Sequence, residues 1–313
     1  MLVALVLLTV GAVLLVAGAE AFAEHVQAAG ARLGVHVAAL ALLVAGAEPE
    51  EAIVASLAAY RDRPDLAVGD ALGANLVIAT LTLGLAALVA PWPVTRTIRR
   101  YAGAAGVAAV LACLALLGGG VSRIEGTLLL GAYAGAVLVV WRTSRQVPVV
   151  GELAELAEKD ASVPPDGKAV AMVALGLVAM AAGGVLAVAG ATRVVAVTGL
   201  ADSAVGLTVL ALATSAEMLA LVWAAHRRAL SEVAVAGALG AVAYNATMTL
   251  GVAALVAPLQ VGDVAPLLSY GLVGAVVPLL VAASLRERVG RLEGTALVGC
   301  YLLATLLVFA PLG

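Results

Sequence analysis

Long apolar runs, each broken by a short polar cluster, set the pattern of this chain. Stretches of 17 or more mostly apolar residues fall at 2–28, 35–60, 66–91, 102–121, 125–141, 169–191, 203–225, 232–257, 266–285 and 294–311. About 20 apolar residues in a helix cross the roughly 30 Å of hydrocarbon in a bilayer. The runs are continuous rather than alternating, so they predict membrane-spanning helices and not the strands of a barrel. The expected fold is all-α, with ten transmembrane helices. The one polar stretch of any length, "TSRQVPVVGELAELAEKDASVPPDG" from Thr143, divides them five and five.

Composition turns this pattern into a class. With 64% hydrophobic residues, 12% charged residues and a mean hydropathy of +1.13, the chain carries more apolar surface than a water-soluble domain can cover. The distribution of basic residues then predicts orientation. If the N-terminus lies outside, the loops left inside hold Arg32, Arg96, Arg99, Arg100, Arg142, Arg145, Lys159, Lys168, Arg227, Arg228, Arg286, Arg288 and Arg291, 13 of the 17 Lys and Arg residues. Only Arg61, Arg63, Arg123 and Arg193 fall outside. This bias predicts a multi-pass protein of the plasma (inner) membrane with both termini outside. Trp92, Trp141 and Trp223 lie beside the inner loops, where interfacial aromatics are expected. The first run lacks the basic start of a secretory signal and is expected to stay as a helix. Cys113 and Cys300 lie inside apolar runs, which predicts packing rather than a disulfide.

The chain repeats itself. "ALGANLVIATLTLGLAALVAP" from Ala71 and "ALGAVAYNATMTLGVAALVAP" from Ala238 match at 15 of 21 positions, at an offset of 167 residues. The same offset sets Glu50 on Glu217 and the "GAEPE" from Gly46 on the "ATSAE" from Ala213. We therefore divide the chain into a first repeat, 1–142, a cytoplasmic linker, 143–168, and a second repeat, 169–313. Five spans per repeat is an odd number, so the second copy enters the membrane from the opposite side. Inverted repeats of this kind place a binding site near the midplane and support alternating access.

The polar residues inside the spans gather at matching depths. Glu50 is the sixteenth of the 26 residues from Val35, and Glu217 the fifteenth of the 23 from Ser203. A buried acid costs about 2.5 to 3.5 kcal/mol on insertion scales, and neither span offers a lysine or arginine at that depth. The partner expected is a bound cation or a proton. Thr214, three residues before Glu217, can share its helix face, and Ser215 joins if the helix unwinds there. Asn75 and Asn245 add amide oxygens from spans three and eight, although they are not repeat equivalents: Val242 answers Asn75 and Ile78 answers Asn245. Small residues beside them, Gly69 and Gly73 in one copy and Gly237 and Gly240 in the other, allow close helix approach. An all-oxygen set suits calcium, and the scattered His25, His36 and His226 do not suggest zinc or copper.

These motifs resemble the α-repeats of the calcium/cation antiporter superfamily, which includes sodium/calcium and calcium/proton exchangers. Sodium/calcium exchangers carry G-T-S-x-P-E followed by G-N-x-x-G-S-N-x-x-N. This chain answers with "GAEPEE" and "GDALGANLVI", then with "ATSAEM" and "AGALGAVAYN". The resemblance implies Glu50 and Glu217 as central calcium ligands, Thr214 and Ser215 at flanking sodium sites, and Asn75 and Asn245 completing the coordination. The chain also departs from the pattern. Ala47 and Glu48 replace the Thr-Ser pair of the first repeat, the second lacks the proline, and each glutamate falls four residues after Gly46 or Ala213, as in the G-N-A-x-E run of calcium/proton exchangers. Glu51, in register with the sodium-type motif, is the alternative first acid, although repeat symmetry favours Glu50. Asp70, which answers Gly237, is expected to cap a helix or line a funnel, and Glu48 to face a vestibule or relay protons. The linker acids Glu152, Glu155 and Glu158 read as a solvated helix face.

The function expected is a secondary-active antiporter that exchanges Ca2+ for Na+. A proton-coupled antiporter of the same superfamily and, from another class, a cation channel are the alternatives. The partners are the lipid bilayer and inorganic cations; no phosphate loop, zinc-protease helix or nucleophile triad suggests an enzyme, and no cofactor or nucleic acid is implied.

Overall fold

The computed structural model describes residues 1–33, 48–144, 167–216, 218–219 and 231–309. Apolar composition over long runs forces the backbone to satisfy its own hydrogen bonds, and nearly all of these residues are helical. In chain order the helices are α1 (Leu2–Leu33), α2 (Pro49–Tyr60), α3 (Pro64–Val89), α4 (Arg96–Leu116), α5 (Arg123–Ser144), α6 (Gly167–Thr198), α7 (Asp202–Thr214), α8 (Ser231–Tyr244, continued through Val256), α9 (Val264–Ala283) and α10 (Arg291–Phe309). Among the described residues seven helical stretches, in α1, α3, α4, α6, α8, α9 and α10, are long and apolar enough to cross a membrane. The expected second and seventh spans run partly outside the described residues, as does most of the expected linker. Their described parts are the shorter α2 and α7.

The helices pair across the two halves. α1 and α6 run antiparallel and touch along a seam of glycines: a Cβ on Gly18 would lie 2.7 Å from the Gly176 carbonyl oxygen, and one on Gly11 would lie 2.9 Å from that of Gly183. Small residues at such a seam let van der Waals contact replace the hydrophobic effect, which lipid does not supply. α4 packs on α8 and α9, the C-terminal half of α3 on α10, and the matching half of α8 on α5.

Two short ribbons mark the faces. β1 (Trp92–Pro93) pairs with β4 (Arg288–Val289), and β2 (Gly120–Val121) pairs with β3 (Leu259–Gln260), both antiparallel. Each ribbon joins one strand from either half, and β1 and β3 are 167 residues apart. The β1–β4 face also holds Thr95 bonded to Glu232 and Arg99 bonded to the Arg286 carbonyl. The β2–β3 face holds Asp65 bonded to the Gly262 amide and the Arg63–Asp202 ion pair. Trp92 departs from the interfacial role expected for it. It is fully buried, and its Nε1 donates to the Leu83 carbonyl at 3.3 Å, because the ribbon folds back over it. The Trp141 side chain and Trp223 lie outside the described residues. Cys113 and Cys300 are free, as packing residues should be.

α3 and α8 each widen into a π-helical turn at matching depths, Val77–Thr82 and Asn245–Thr249. Such turns insert a residue, re-aim the side chains that follow, and recur at functional sites. Thr80 and Thr247, equivalent under the 167-residue offset, each donate to the carbonyl four residues earlier, at 2.5 Å to Leu76 and Ala243. The next pair is not matched. Thr249 Oγ1 donates to Asn245 Oδ1 at 3.2 Å, whereas the buried Thr82 Oγ1 has no partner among the described residues, since Ile78 stands where Asn245 would.

Two outcomes follow from this packing. Gly18→Val should lower stability by about 1–3 kcal/mol through overpacking, read as a lower thermal unfolding midpoint in detergent; an unchanged midpoint would show the α1–α6 seam to be looser than described. Ile78→Asn should give Thr82 the partner that Thr249 has and unfold no earlier than the parent chain, because a satisfied hydroxyl removes a penalty of about 1–3 kcal/mol.

Candidate functional site

The site forms where α2 begins, α7 ends and α3 crosses between them. Pro49 occupies the first turn of α2, where its missing N–H costs nothing. Glu50 and Glu51 follow in that first turn, where unsatisfied amides and the helix dipole favour carboxylates. Glu48 precedes it with non-helical torsions (φ −113°, ψ 73°). Opposite, α7 stops at Thr214, and Ser215 leaves helical geometry at φ −80°, ψ 5°. This is the local unwinding that lets both hydroxyls face inward.

Glycine brings α3 against α7. A Cβ on Gly73 would lie 2.5 Å from the Leu207 carbonyl oxygen, and one on Gly69 would lie 2.9 Å from that of Ser203, so no larger residue allows this crossing. Asp70 lies between the two glycines and is fully buried. It therefore neither caps a helix nor lines an open funnel: Thr214 Oγ1 donates to its Oδ1 at 3.3 Å. Glu51, also fully buried, accepts a long contact of 3.5 Å from Ser215 Oγ. Glu48 is buried too, at 3% exposure, rather than facing a vestibule, and Asn245 Nδ2 donates to its Oε2 at 3.1 Å. Asn245 thus joins the π-helical turn of α8 to the start of α2, since its Oδ1 accepts from Thr249.

The predicted residues are not all brought to one point. Glu51, Asp70, Thr214 and Ser215 form one group, and Glu48 with Asn245 a second beside it. Glu50 is buried at 2% exposure and lies near Tyr244, whose ring meets that of Tyr133 edge to face with centroids 5.5 Å apart. Asn75 is buried at 1% exposure on the α3 face against Gly274 of α9, and neither end of its amide has a partner among the described residues. Glu217, the expected counterpart of Glu50, lies outside the described residues.

Glu51 Oε2 and Asp70 Oδ2 are likewise buried without a hydrogen-bond partner among the described residues. Such atoms are rare in folded proteins and point to a missing ligand or proton. No lysine or arginine among the described residues is buried. No three acidic, histidine or cysteine side chains there make a complete cage by themselves, so any ion held would also need hydroxyl, amide or backbone oxygens. The roles of Thr82 and Asp70 were only faintly marked in the sequence: Thr82 is an identical position of the repeat, and Asp70 a charge inside an apolar run.

Comparison with known proteins identifies the family. The family model described as sodium/calcium exchanger protein matches residues 3–142 and again 168–310. The chain is 30% identical to the "Putative antiporter CaxA" of Alkalimonas amylolytica, over 99% of this chain and all of that one. It is 32% identical to the "Inner membrane protein YrbG" of Escherichia coli, over 85% of this chain and 83% of that one. Among solved structures it shares the fold of the H+/Ca2+ exchanger CAX (TM-score 0.75, 17% identity, 98% of this chain and 85% of that one). It also shares that of the sodium-calcium exchanger NCX_Mj (TM-score 0.60, 22% identity, 97% and 96%). With both halves matched by one family model, this multi-pass chain belongs to the sodium/calcium exchanger family of the calcium/cation antiporter superfamily.

Proposed function

We propose that the protein exchanges Ca2+ for protons across the membrane by alternating access, with Glu51, Asp70, Thr214 and Ser215 at the heart of the cation path and Glu217 closing it from the second repeat. The observation that carries this reading is the burial of Glu48, Glu50, Glu51 and Asp70 in one region where no described lysine or arginine is buried. Four carboxylates bear four negative charges, and one calcium offsets two. Two like charges about 4 Å apart repel by about 4 kcal/mol at an effective dielectric of about 20, so the excess favours protonation. Reorientation is then favoured with calcium bound or with protons in its place.

The spacing of the oxygens also suits the ion. Two ligands about 2.4 Å from one calcium and at right angles to it lie about 3.4 Å apart, close to the 3.3 Å and 3.5 Å between hydroxyl and carboxylate oxygens here. The same hydroxyl–carboxylate pairs favour a second reading, the Na+-coupled exchange expected from the Thr214–Ser215 pair. Glu51 now has the stronger geometric support as first-repeat ligand, and Glu50 the support of repeat symmetry. We place the protein in the inner or plasma membrane with both termini outside, on the positive-inside bias.

Proteoliposomes separate these readings. An acid interior should drive radiocalcium uptake at zero sodium; uptake driven only by internal sodium at clamped pH would establish the second reading, and flux indifferent to both gradients would mean a channel. Glu51→Gln should reduce calcium flux on the order of 10–100-fold, the scale seen when support of a metal site is removed. An unaffected Glu51→Gln beside an inactive Glu50→Gln would return the ligand role to Glu50. Asp70→Asn should lower calcium flux and weaken its response to an imposed pH gradient in the same proteoliposomes; unchanged flux would remove Asp70 from the cation path.

A further inference from the structure

The charge bias leaves few arginines on the β2–β3 face, and three of them converge. Arg61 and Arg63, in the turn between α2 and α3, and Arg193, near the end of α6, line one cavity of about 520 Å3. Its remaining wall is apolar or weakly polar: Leu7 of α1 and Ala189, Thr192 and Ala196 of α6. Arg63 is neutralised by Asp202, at 3.0 Å. Arg61 donates to the Val185 carbonyl at 3.4 Å, and among the described residues neither Arg61 nor Arg193 has a carboxylate within ion-pair distance. Asp62 is the other acid in the turn. The cavity thus holds two guanidinium groups without acidic partners beside hydrocarbon-facing surface. Arg193 lies five residues before the end of α6 at Thr198, about 8 Å along the helix, a depth from which its stem reaches the interface. Exposed Val3, Val6 and Val10 of α1 and Val197 of α6 extend the apolar surface next to it.

We infer that this cavity binds the headgroup of an anionic phospholipid, with Arg61 and Arg193 on the phosphate and the acyl chains along α1 and α6. Charge favours an anion, and the apolar walls favour one that carries its own hydrocarbon; basic pockets between transmembrane helices take such headgroups. The bound lipid would bridge the α2–α3 turn to α6, which packs directly on α2. The site is independent of the cation path and of the coupling ion.

The test is native mass spectrometry of the full chain, delipidated and titrated with phosphatidylglycerol, with phosphatidylcholine or with inorganic phosphate. The parent chain should retain phosphatidylglycerol over phosphatidylcholine. Arg61→Gln/Arg193→Gln should weaken that binding about 25-fold, given about 1 kcal/mol for each basic residue near an anionic surface and a tenfold change per 1.4 kcal/mol. Arg123→Gln, on the same face but outside the cavity, should bind as the parent does. Equal retention by the double variant would overturn the proposal, as would competition by inorganic phosphate at equal concentration, which would mean a free-anion site. Calcium binding preserved in the double variant shows that it is folded.

Discussion

Carboxylates buried in a membrane protein need a charge partner, and the rest of this architecture answers that constraint. Glu51 and Asp70 are fully buried with Glu48 and Glu50 close by, yet the chain supplies hydroxyls and an amide around them rather than guanidinium or ammonium groups. A permanent counter-ion would form a static salt bridge, whereas neutral oxygens stabilise the acids only in part and leave room for a mobile cation or proton. The start of α2 lessens the cost further, since the positive end of its helix dipole lies at the acids of its first turn.

Everything that meets at this point is held by close backbone approach. Gly69 and Gly73 let α3 cross α7 near van der Waals distance, which carries Asp70 to Thr214. The glycine seam between α1 and α6 and the cross-repeat packing of α3 on α10 and α8 on α5 tie the halves together without polar contacts in the hydrocarbon. Outside the candidate site, polar cross-links lie at the two faces, in the ribbons and the Arg63–Asp202 ion pair. Such a division suits two rigid halves that change their relation around a fixed site, because the interior seams can slide while the surface links limit how far.

The repeat symmetry is strong in the frame and weak in the site. The π-helical turns of α3 and α8 and the Thr80–Thr247 pair follow the 167-residue offset, and the ribbon strands follow it to within one residue. The polar groups do not: in the repeat register Asn245 answers Ile78, Asp70 answers Gly237, and Thr214 answers Ala47. Acids concentrate in the first repeat, and the described hydroxyls and amide that meet them come from the second. Among the described residues one half supplies most of the charge and the other most of the neutral oxygen, so the candidate site draws on both copies.

The sequence alone determined what depends on local pattern and internal comparison. Apolar runs identified a helical membrane protein, the duplicated segment exposed two related halves, and midspan acids beside hydroxyls and amides pointed to a cation. Family membership was legible for the same reason, since Glu50, Asn75, Thr214, Ser215 and Asn245 lie in motifs with fixed spacing. Which acids meet which oxygens was not legible, because contacts such as Asn245 to Glu48 and Thr214 to Asp70 join residues far apart in the chain. Trp92 was misread as interfacial because burial under a cross-repeat ribbon leaves no local mark. Periodicity reports which face of a helix is apolar; only tertiary packing decides which carboxylate of Glu48, Glu50 and Glu51 that face delivers to its partners, since one residue of register turns a side chain by about 100°.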